Sequence, residues 1–205
     1  DRYDWGCALT NVPASVLMVD YRGYGKSEGS PDEAGVYLDA EAAWNFAREK
    51  KQAQTENIWL YGKSLGGAAA THLARHHTAG ALVLQSTFTS IPDMADQLMS
   101  WVPQFLVRTQ MANVKNLPQI QTPTMVIHSK SDDLIPFSMG ESLYQAAANP
   151  YAFLTFDGYG HNDLVSARGE EIVKAMGKMA EQISEPASLP LEKTSSTPPV
   201  PQIQE

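Results

Sequence analysis

The pentapeptide Gly62-Lys63-Ser64-Leu65-Gly66 lies between an apolar, aromatic run at residues 57–61 and a run of small residues that begins at residue 67. The first run predicts a buried strand, and the second predicts the start of a helix. A strand, the pattern G-x-S-x-G and a helix are together typical of a nucleophile elbow, in which a strained turn exposes the serine hydroxyl. Because this pattern arises by chance in roughly one chain in fifteen of this length, it needs partners elsewhere in the sequence.

The rest of the chain alternates short apolar runs with helical patterns. Runs that predict buried strands lie at residues 14–20, 57–61, 81–85, 122–128 and 151–156. Segments that predict helices lie at residues 34–51, 67–77, 138–148 and 163–183. This alternation predicts a doubly wound α/β sheet, mostly parallel, with helices on both faces. Ligands bind such sheets at the carboxyl ends of the strands, so the chemistry is expected in the loops that follow them.

The composition indicates one globular domain. The 205 residues are 43% hydrophobic and 19% charged, and we expect a domain at residues 1–183 and a disordered tail, rich in Pro, Ser and Thr, at residues 184–205. The net charge of -8 argues against nucleic acid as a partner and offers no attraction to anionic lipid. Cys7 is the single cysteine, so an intrachain disulfide is excluded. The chain opens with Asp1 rather than Met, which leaves its localisation open.

Residues 89–121 interrupt the alternation. They carry many apolar side chains, and Pro92, Pro103 and Pro118 divide them into short helical pieces. One interpretation is a further crossover helix between two strands. The other is an excursion over the active site, in which apolar side chains such as Trp101 and Phe105 bind the substrate.

Three loops that follow predicted strands carry residues that could act together. Ser64 follows the first of these strands, Asp132 and Asp133 follow another, and His161 follows the last. A serine nucleophile needs a histidine to take its proton and a carboxylate to orient that histidine. The backbone N–H of Leu65 would then stabilise the oxyanion, helped by the N-terminus of the helix.

Each of these residues has an ordinary structural interpretation as well. Ser64 could be a helix N-cap, and His161 could be a solvated loop histidine. One of Asp132 and Asp133 is expected to face the site while the other caps the following turn, and the spacing from Pro136 favours Asp132. His128 is too close to the acidic loop to serve as the base.

Other motifs for ligand binding fail on inspection. The phosphate-binding loop that ends in Gly62-Lys63-Ser64 would need a glycine at Asn57, and a dinucleotide loop at Gly23 would need one at Glu28. The sequence contains neither H-E-x-x-H nor a Cys/His cluster. We therefore expect neither a cofactor nor a metal ion.

Several of these stretches resemble single-domain α/β hydrolases. Residues 20–27 (DYRGYGKS) resemble their D-Y-R-G-x-G-x-S loop, residues 62–67 their elbow, and residues 128–136 their H-G-x-x-D-x-x-V-P loop with Ser129 in place of glycine. Residues 160–163 (GHND) are similar to their base loop. The likeness extends from about Val16 to about Met179. It is to the serine aminopeptidase-like group, in the branch with membrane-anchored hydrolases and depalmitoylating thioesterases.

The resemblance implies a serine hydrolase in which Ser64, Asp132 and His161 cleave an ester or thioester of a small or acylated substrate. A peptidase of the same fold and a non-catalytic binding module are the alternatives. The family's H-G-N-x-G loop, which completes the oxyanion hole, has no counterpart here, and neither does the strand before it. We therefore expect a domain without its N-terminal strands, with unpaired edges at residues 14–20 and at the elbow strand. Membrane association would need an upstream segment.

Overall fold

Four strands form one parallel sheet at the centre of the fold. The computed structural model describes residues 2–12, 14–98 and 108–184, with only the backbone at residues 2–4 and 98. The strands are β1 (Trp59–Lys63), β2 (Ala81–Gln85), β3 (Thr124–Ser129) and β4 (Pro150–Phe156), and they lie in that order across the sheet. Every neighbouring pair is parallel. The prediction of a parallel α/β sheet is confirmed.

Helices connect and cover these strands. The described residues form α1 (Arg2–Leu9), α2 (Glu33–Asn45), α3 (Gly66–His76), α4 (Ile91–Leu98), α5 (Asn113–Asn116), α6 (Phe137–Ala146) and α7 (Leu164–Ser184). Helix α2 continues as a π-helical turn at Phe46–Lys50, and 3₁₀ turns lie at Thr55–Asn57 and Leu117–Gln119. None of the helices in this part of the chain is both long and apolar enough to span a membrane.

The sheet separates two apolar layers, because successive side chains of a strand point to opposite faces. In β2, Leu82 and Leu84 pack in the layer that contains residues of α2, α3 and α6. Ala81 and Val83 pack on the other face, with residues of α1 and α7. All four side chains are fully buried. The expectation of helices on both faces is therefore confirmed.

The prediction of a strand at residues 14–20 is wrong. The segment is extended but belongs to no strand, and Val16, Leu17 and Met18 are 36%, 49% and 48% exposed. An apolar run becomes a strand only where another strand completes its hydrogen bonds. Among the described strands β1 pairs with β2 alone, so its other edge is available, but residues 14–20 do not pair with it.

The segment at residues 89–121 is described in part. Helix α4 opens it and α5 closes it, and the backbone N–H groups of Gln110 and Met111 donate to the Glu33 carboxylate of α2 at 2.7 and 2.8 Å. Trp101 and Phe105 lie outside the described residues, as does the tail from residue 185. Both interpretations of this segment stay predictions.

Candidate active site

Ser64 occupies a strained turn directly after β1. Its φ of 52° lies in the left-handed region, which is costly for a side chain other than glycine. The surrounding backbone holds this conformation: Ser64 N–H donates to the Gln85 carbonyl at 3.0 Å, and the Thr87 hydroxyl donates to the Ser64 carbonyl at 2.7 Å. This is the conformation expected of a nucleophile elbow.

The glycines around Ser64 allow the close approach of β1 and α3. A Cβ atom at Gly62 would lie 2.4 Å from the carbonyl oxygen of Gly66, a distance at which the backbone would have to shift. The first glycine of the pattern is therefore a steric requirement of this turn, whereas a Cβ atom at Gly66 would meet only the Tyr21 hydroxyl, at 3.8 Å.

The alternative that Ser64 is the N-cap of α3 is wrong. The cap position belongs to Leu65, which has helical φ and ψ and makes no side-chain capping bond. Among the described residues, the N–H of Leu65 has no hydrogen-bond acceptor. A free N–H at the first turn of a helix is suited to stabilise a negative charge.

Asp132 and His161 form a buried hydrogen-bonded pair in the loops that follow β3 and β4. Nδ1 of His161 lies 2.9 Å from Oδ2 and 3.1 Å from Oδ1 of Asp132. The Asp132 side chain is inaccessible to solvent and that of His161 is 6% exposed. Because His161 Nδ1–H donates to the carboxylate, Nε2 is the nitrogen left to exchange a proton with a substrate or a nucleophile.

The Asp132 carboxylate is held in its charged form. The N–H groups of Leu134 and Ile135 donate to Oδ1 at 3.0 and 2.8 Å. Burial by itself raises the pKa of this carboxyl, but the bonds from His161, Ile135 and Leu134 outweigh it, and the pKa lies below its ordinary value. An ionised partner is what a histidine base requires.

Asp133 and His128 are placed differently from Asp132 and His161. Oδ1 of Asp133 accepts the backbone N–H of His161 at 2.8 Å and so fixes the loop rather than the imidazole ring. His128 is fully buried, and its Nε2 lies 3.0 Å from the Ile135 carbonyl and 3.6 Å from Asp132 Oδ2. A buried imidazole with a backbone partner is not positioned to act as a base.

The three residues singled out by the sequence all lie beyond the carboxyl ends of strands. Ser64 follows β1, Asp132 follows β3 and His161 follows β4. The loops that carry Ser64 and His161 also contact each other, since Lys63 Nζ lies 3.5 Å from Asn162 Oδ1. Sequence reasoning missed Thr87 and the role of Asp133, because both act through contacts between loops distant in the chain.

The chain resembles known proteins both in sequence and in structure. A profile of the family described as "Serine aminopeptidase, S33" matches residues 6–109, about half of the chain. An uncharacterized protein of Mycobacterium tuberculosis is 36% identical over 163 residues, which are 79% of this chain and 58% of that protein. Human alpha/beta hydrolase domain-containing protein 17B is 32% identical over 155 residues, 76% of this chain and 53% of that protein.

The structural likeness is to solved α/β hydrolases. The esterase domain of a Rhodothermus marinus protein superposes with a TM-score of 0.68 at 21% identity, over 88% of this chain and 79% of that one. At this identity the likeness shows the fold alone. The chain spans between half and three fifths of the length of the two curated relatives above.

Proposed function

Because the chain belongs to the serine aminopeptidase family of α/β hydrolases, we propose that it cleaves carboxylic esters or thioesters through an acyl-enzyme on Ser64. One observation carries the proposal: His161 Nδ1 lies 2.9 Å from a buried Asp132 carboxylate. The strained Ser64 turn lies on the same side of the sheet, beyond the carboxyl ends of the strands. A purely structural Asp-His pair would not need a strained serine turn at the end of a strand of the same sheet, whereas this chemistry uses all three groups.

The proposed reaction proceeds in two halves. His161 Nε2 takes the Ser64 proton as Oγ attacks the acyl carbon, and the imidazolium that forms is stabilised by Asp132. The oxyanion of the tetrahedral intermediate accepts a hydrogen bond from the Leu65 N–H. His161 then protonates the leaving alcohol or thiol, and water, activated by the same nitrogen, hydrolyses the acyl-serine.

The oxyanion hole sets the expected rate. Leu65 supplies one donor, and the H-G-N-x-G loop that would supply another has no counterpart in these 205 residues. Loss of one such donor lowers turnover by about 10²–10³-fold in a comparable hydrolase. We therefore expect this chain to acylate slowly, and detection of the acyl-serine is a more sensitive assay than turnover.

Covalent labelling by a fluorophosphonate tests the proposal. We expect labelling of the chain and its loss in Ser64→Ala. The matched control is Ser86→Ala, because Ser86 also follows a strand with a positive φ, of 44°, but is buried. Labelling that survives Ser64→Ala would contradict the assignment, and a chain that is never labelled would favour a binding module.

A substrate panel separates an esterase from a peptidase. The description of the matching family favours the peptidase as the second candidate. We expect p-nitrophenyl esters and acyl thioesters of increasing chain length to be cleaved faster than aminoacyl anilides. Faster cleavage of the anilides would assign the same residues to a peptidase.

A further inference from the structure

A second cluster of titratable side chains lies between α2 and α3. Glu41 of α2 and His72 and His76 of α3 each present one ligand atom, and these atoms all lie within 4.8 Å of one another. The two histidines are four residues apart, so they project from the same face of the helix. They are six and ten residues beyond Gly66, roughly 9 and 15 Å along the helix from the elbow at 1.5 Å per residue. The cluster is therefore separate from the candidate active site.

The His76 ring is held in the tautomer that can ligate. Its Nδ1 lies 2.9 Å from the carbonyl oxygen of His72. A carbonyl can only accept, so Nδ1 carries the proton and Nε2 presents a lone pair. A bond from the other ring nitrogen to a backbone carbonyl is the usual support of a metal-binding histidine.

The other two ligands are supported by their neighbours. The Tyr37 ring stacks on His72 with centroids 4.1 Å apart and planes 5° from parallel. His77 Nε2 lies 2.7 Å from Oε2 of Glu41. The other carboxylate oxygen, Oε1, faces His72 and lies 3.5 Å from its Nε2. The carboxylate and the imidazole are thus fixed in place by contacts that a bound ion would not disturb.

We propose that Glu41, His72 and His76 bind a borderline divalent cation such as Zn²⁺, bridging α2 and α3, with water in the remaining position. Two imidazole nitrogens and one carboxylate oxygen are a ligand set that suits Zn²⁺ and its first-row neighbours rather than Mg²⁺ or Ca²⁺, which take oxygen ligands.

The distances agree with such a site. Tetrahedral coordination at 2.0–2.1 Å places ligand atoms about 3.4 Å apart, and Glu41 Oε1 and His72 Nε2 are already 3.5 Å apart. All three ligand atoms lie within 4.8 Å of one another, so small shifts that keep the bond from His76 Nδ1 to the His72 carbonyl would close the remaining gap. This ligand set is not apparent as a motif in the sequence, because Glu41 lies on a different helix, 31 positions before His72.

Calorimetric titration of the tag-free, chelator-treated chain with ZnCl₂ tests the site. We expect one ion per chain, a rise in the unfolding temperature, and no corresponding heat or rise with MgCl₂. Glu41→Gln and His76→Ala should each weaken the affinity by more than the roughly 10–100-fold typical of outer-shell changes. His76→Ala is the decisive variant, because this side chain is exposed and lies outside the apolar layers.

His161→Ala is the matched control, since it removes an imidazole from the other cluster. Retention of Zn²⁺ binding in His161→Ala together with its loss in His76→Ala would support the proposal. The proposal is overturned if Zn²⁺ does not bind, if His76→Ala and Glu41→Gln bind as well as the parent, or if His161→Ala abolishes binding. These readouts measure metal binding and not hydrolysis, so the metal site can be tested whether or not the proposed activity is found.

Discussion

Two adjacent carboxylates contact His161 in different ways, and that difference is testable at single residues. Asp132 accepts from the imidazole, whereas Asp133 accepts from the backbone N–H. Under the proposed mechanism, Asp132→Asn removes the charge that orients and stabilises the imidazolium, and we expect acylation to slow by about 10⁴-fold, the loss known for this change in a Ser-His-Asp site. Asp133→Asn keeps an oxygen that accepts the N–H, so we expect a much smaller loss.

The measurement is the rate of fluorophosphonate labelling of the two variants beside the parent chain. Because both variants replace a carboxylate by an amide at neighbouring positions, each serves as the control for the other. Equal losses would show that Asp132 has no special role and would contradict the assignment.

A second residue-scale prediction concerns His128 and pH. Burial lowers the pKa of His128, although the Ile135 carbonyl and Asp132 both favour its charged form. The unfolded chain, with an ordinary histidine pKa of about 6.5, binds this proton at a higher pH than the folded chain does. The free energy of unfolding contributed by neutral His128 is therefore complete above about pH 6.5 and is lost as the pH falls toward the folded pKa.

Urea unfolding between pH 7.5 and 5.5 measures this contribution. We expect stability to fall by at most about 1.4 kcal/mol per pH unit for each such histidine, and His128→Gln to reduce the slope. Glutamine can still donate to the Ile135 carbonyl. His76→Gln, at an exposed position, is the control, and identical slopes for the two variants would rule out His128 as the source.

At the scale of elements, the contact between α3 and the β2 loop limits what residue 67 can be. A Cβ atom on Gly67 would lie 2.2 Å from the Thr87 hydroxyl oxygen, and that hydroxyl donates to the Ser64 carbonyl. We expect Gly67→Ala to lower the free energy of unfolding by about 1–3 kcal/mol through overpacking. It should also slow labelling, because Thr87 must move.

Gly177→Ala on α7 is the matched control. No atom lies within 4 Å of the Cβ position at Gly177, so alanine there should stabilise the helix by about 0.5–1 kcal/mol. Urea unfolding of both variants should therefore give changes of opposite sign. A change of the same sign in both would contradict the proposed packing of α3.

The elements differ in how well the sequence predicts them. Strand β2 has its predicted bounds of residues 81–85, because a short apolar run buried on both faces has a clear pattern. The run at residues 14–20 has the same pattern but forms no strand. Apolar character reports a tendency toward burial, whereas a strand also depends on a partner that the local sequence does not specify.

The candidate site shows the same division. The positions of Ser64, Asp132 and His161 beyond strand ends could be predicted from the sequence. Parallel strands bring the loops that follow them to the same side of the sheet, at the carboxyl ends. Three other contacts join different elements of the fold. Thr87 donates to Ser64, Asp133 accepts from His161, and Glu41 lies close to His72. Those contacts depend on how helices and loops pack, which periodicity and spacing do not specify.

At the scale of the whole molecule, two features of the described residues favour association: an edge strand and a group of exposed apolar side chains. Strand β1 pairs with β2 alone among the described strands, and residues 16–18 expose much of their side chains. Leu17 and Met18 line a groove of about 630 Å³ with Phe46 of the π-helical turn. Edge strands and contiguous apolar patches favour association between chains, and the net charge of -8 opposes it only through repulsion that salt screens.

We therefore predict that the 205-residue chain self-associates, more strongly in high salt, and that the double change Leu17→Ser and Met18→Ser returns it toward a monomer. Sedimentation velocity across a range of concentrations and salt measures the effect. Leu38→Ser is the control, because Leu38 is 62% exposed but stands on α2 and is not among the residues lining the groove. If Leu38→Ser reduced association as much as the double change, general surface hydrophobicity rather than this patch would be responsible. A parent chain that stays monomeric at every salt concentration would show that residues 14–20 do not promote association between chains.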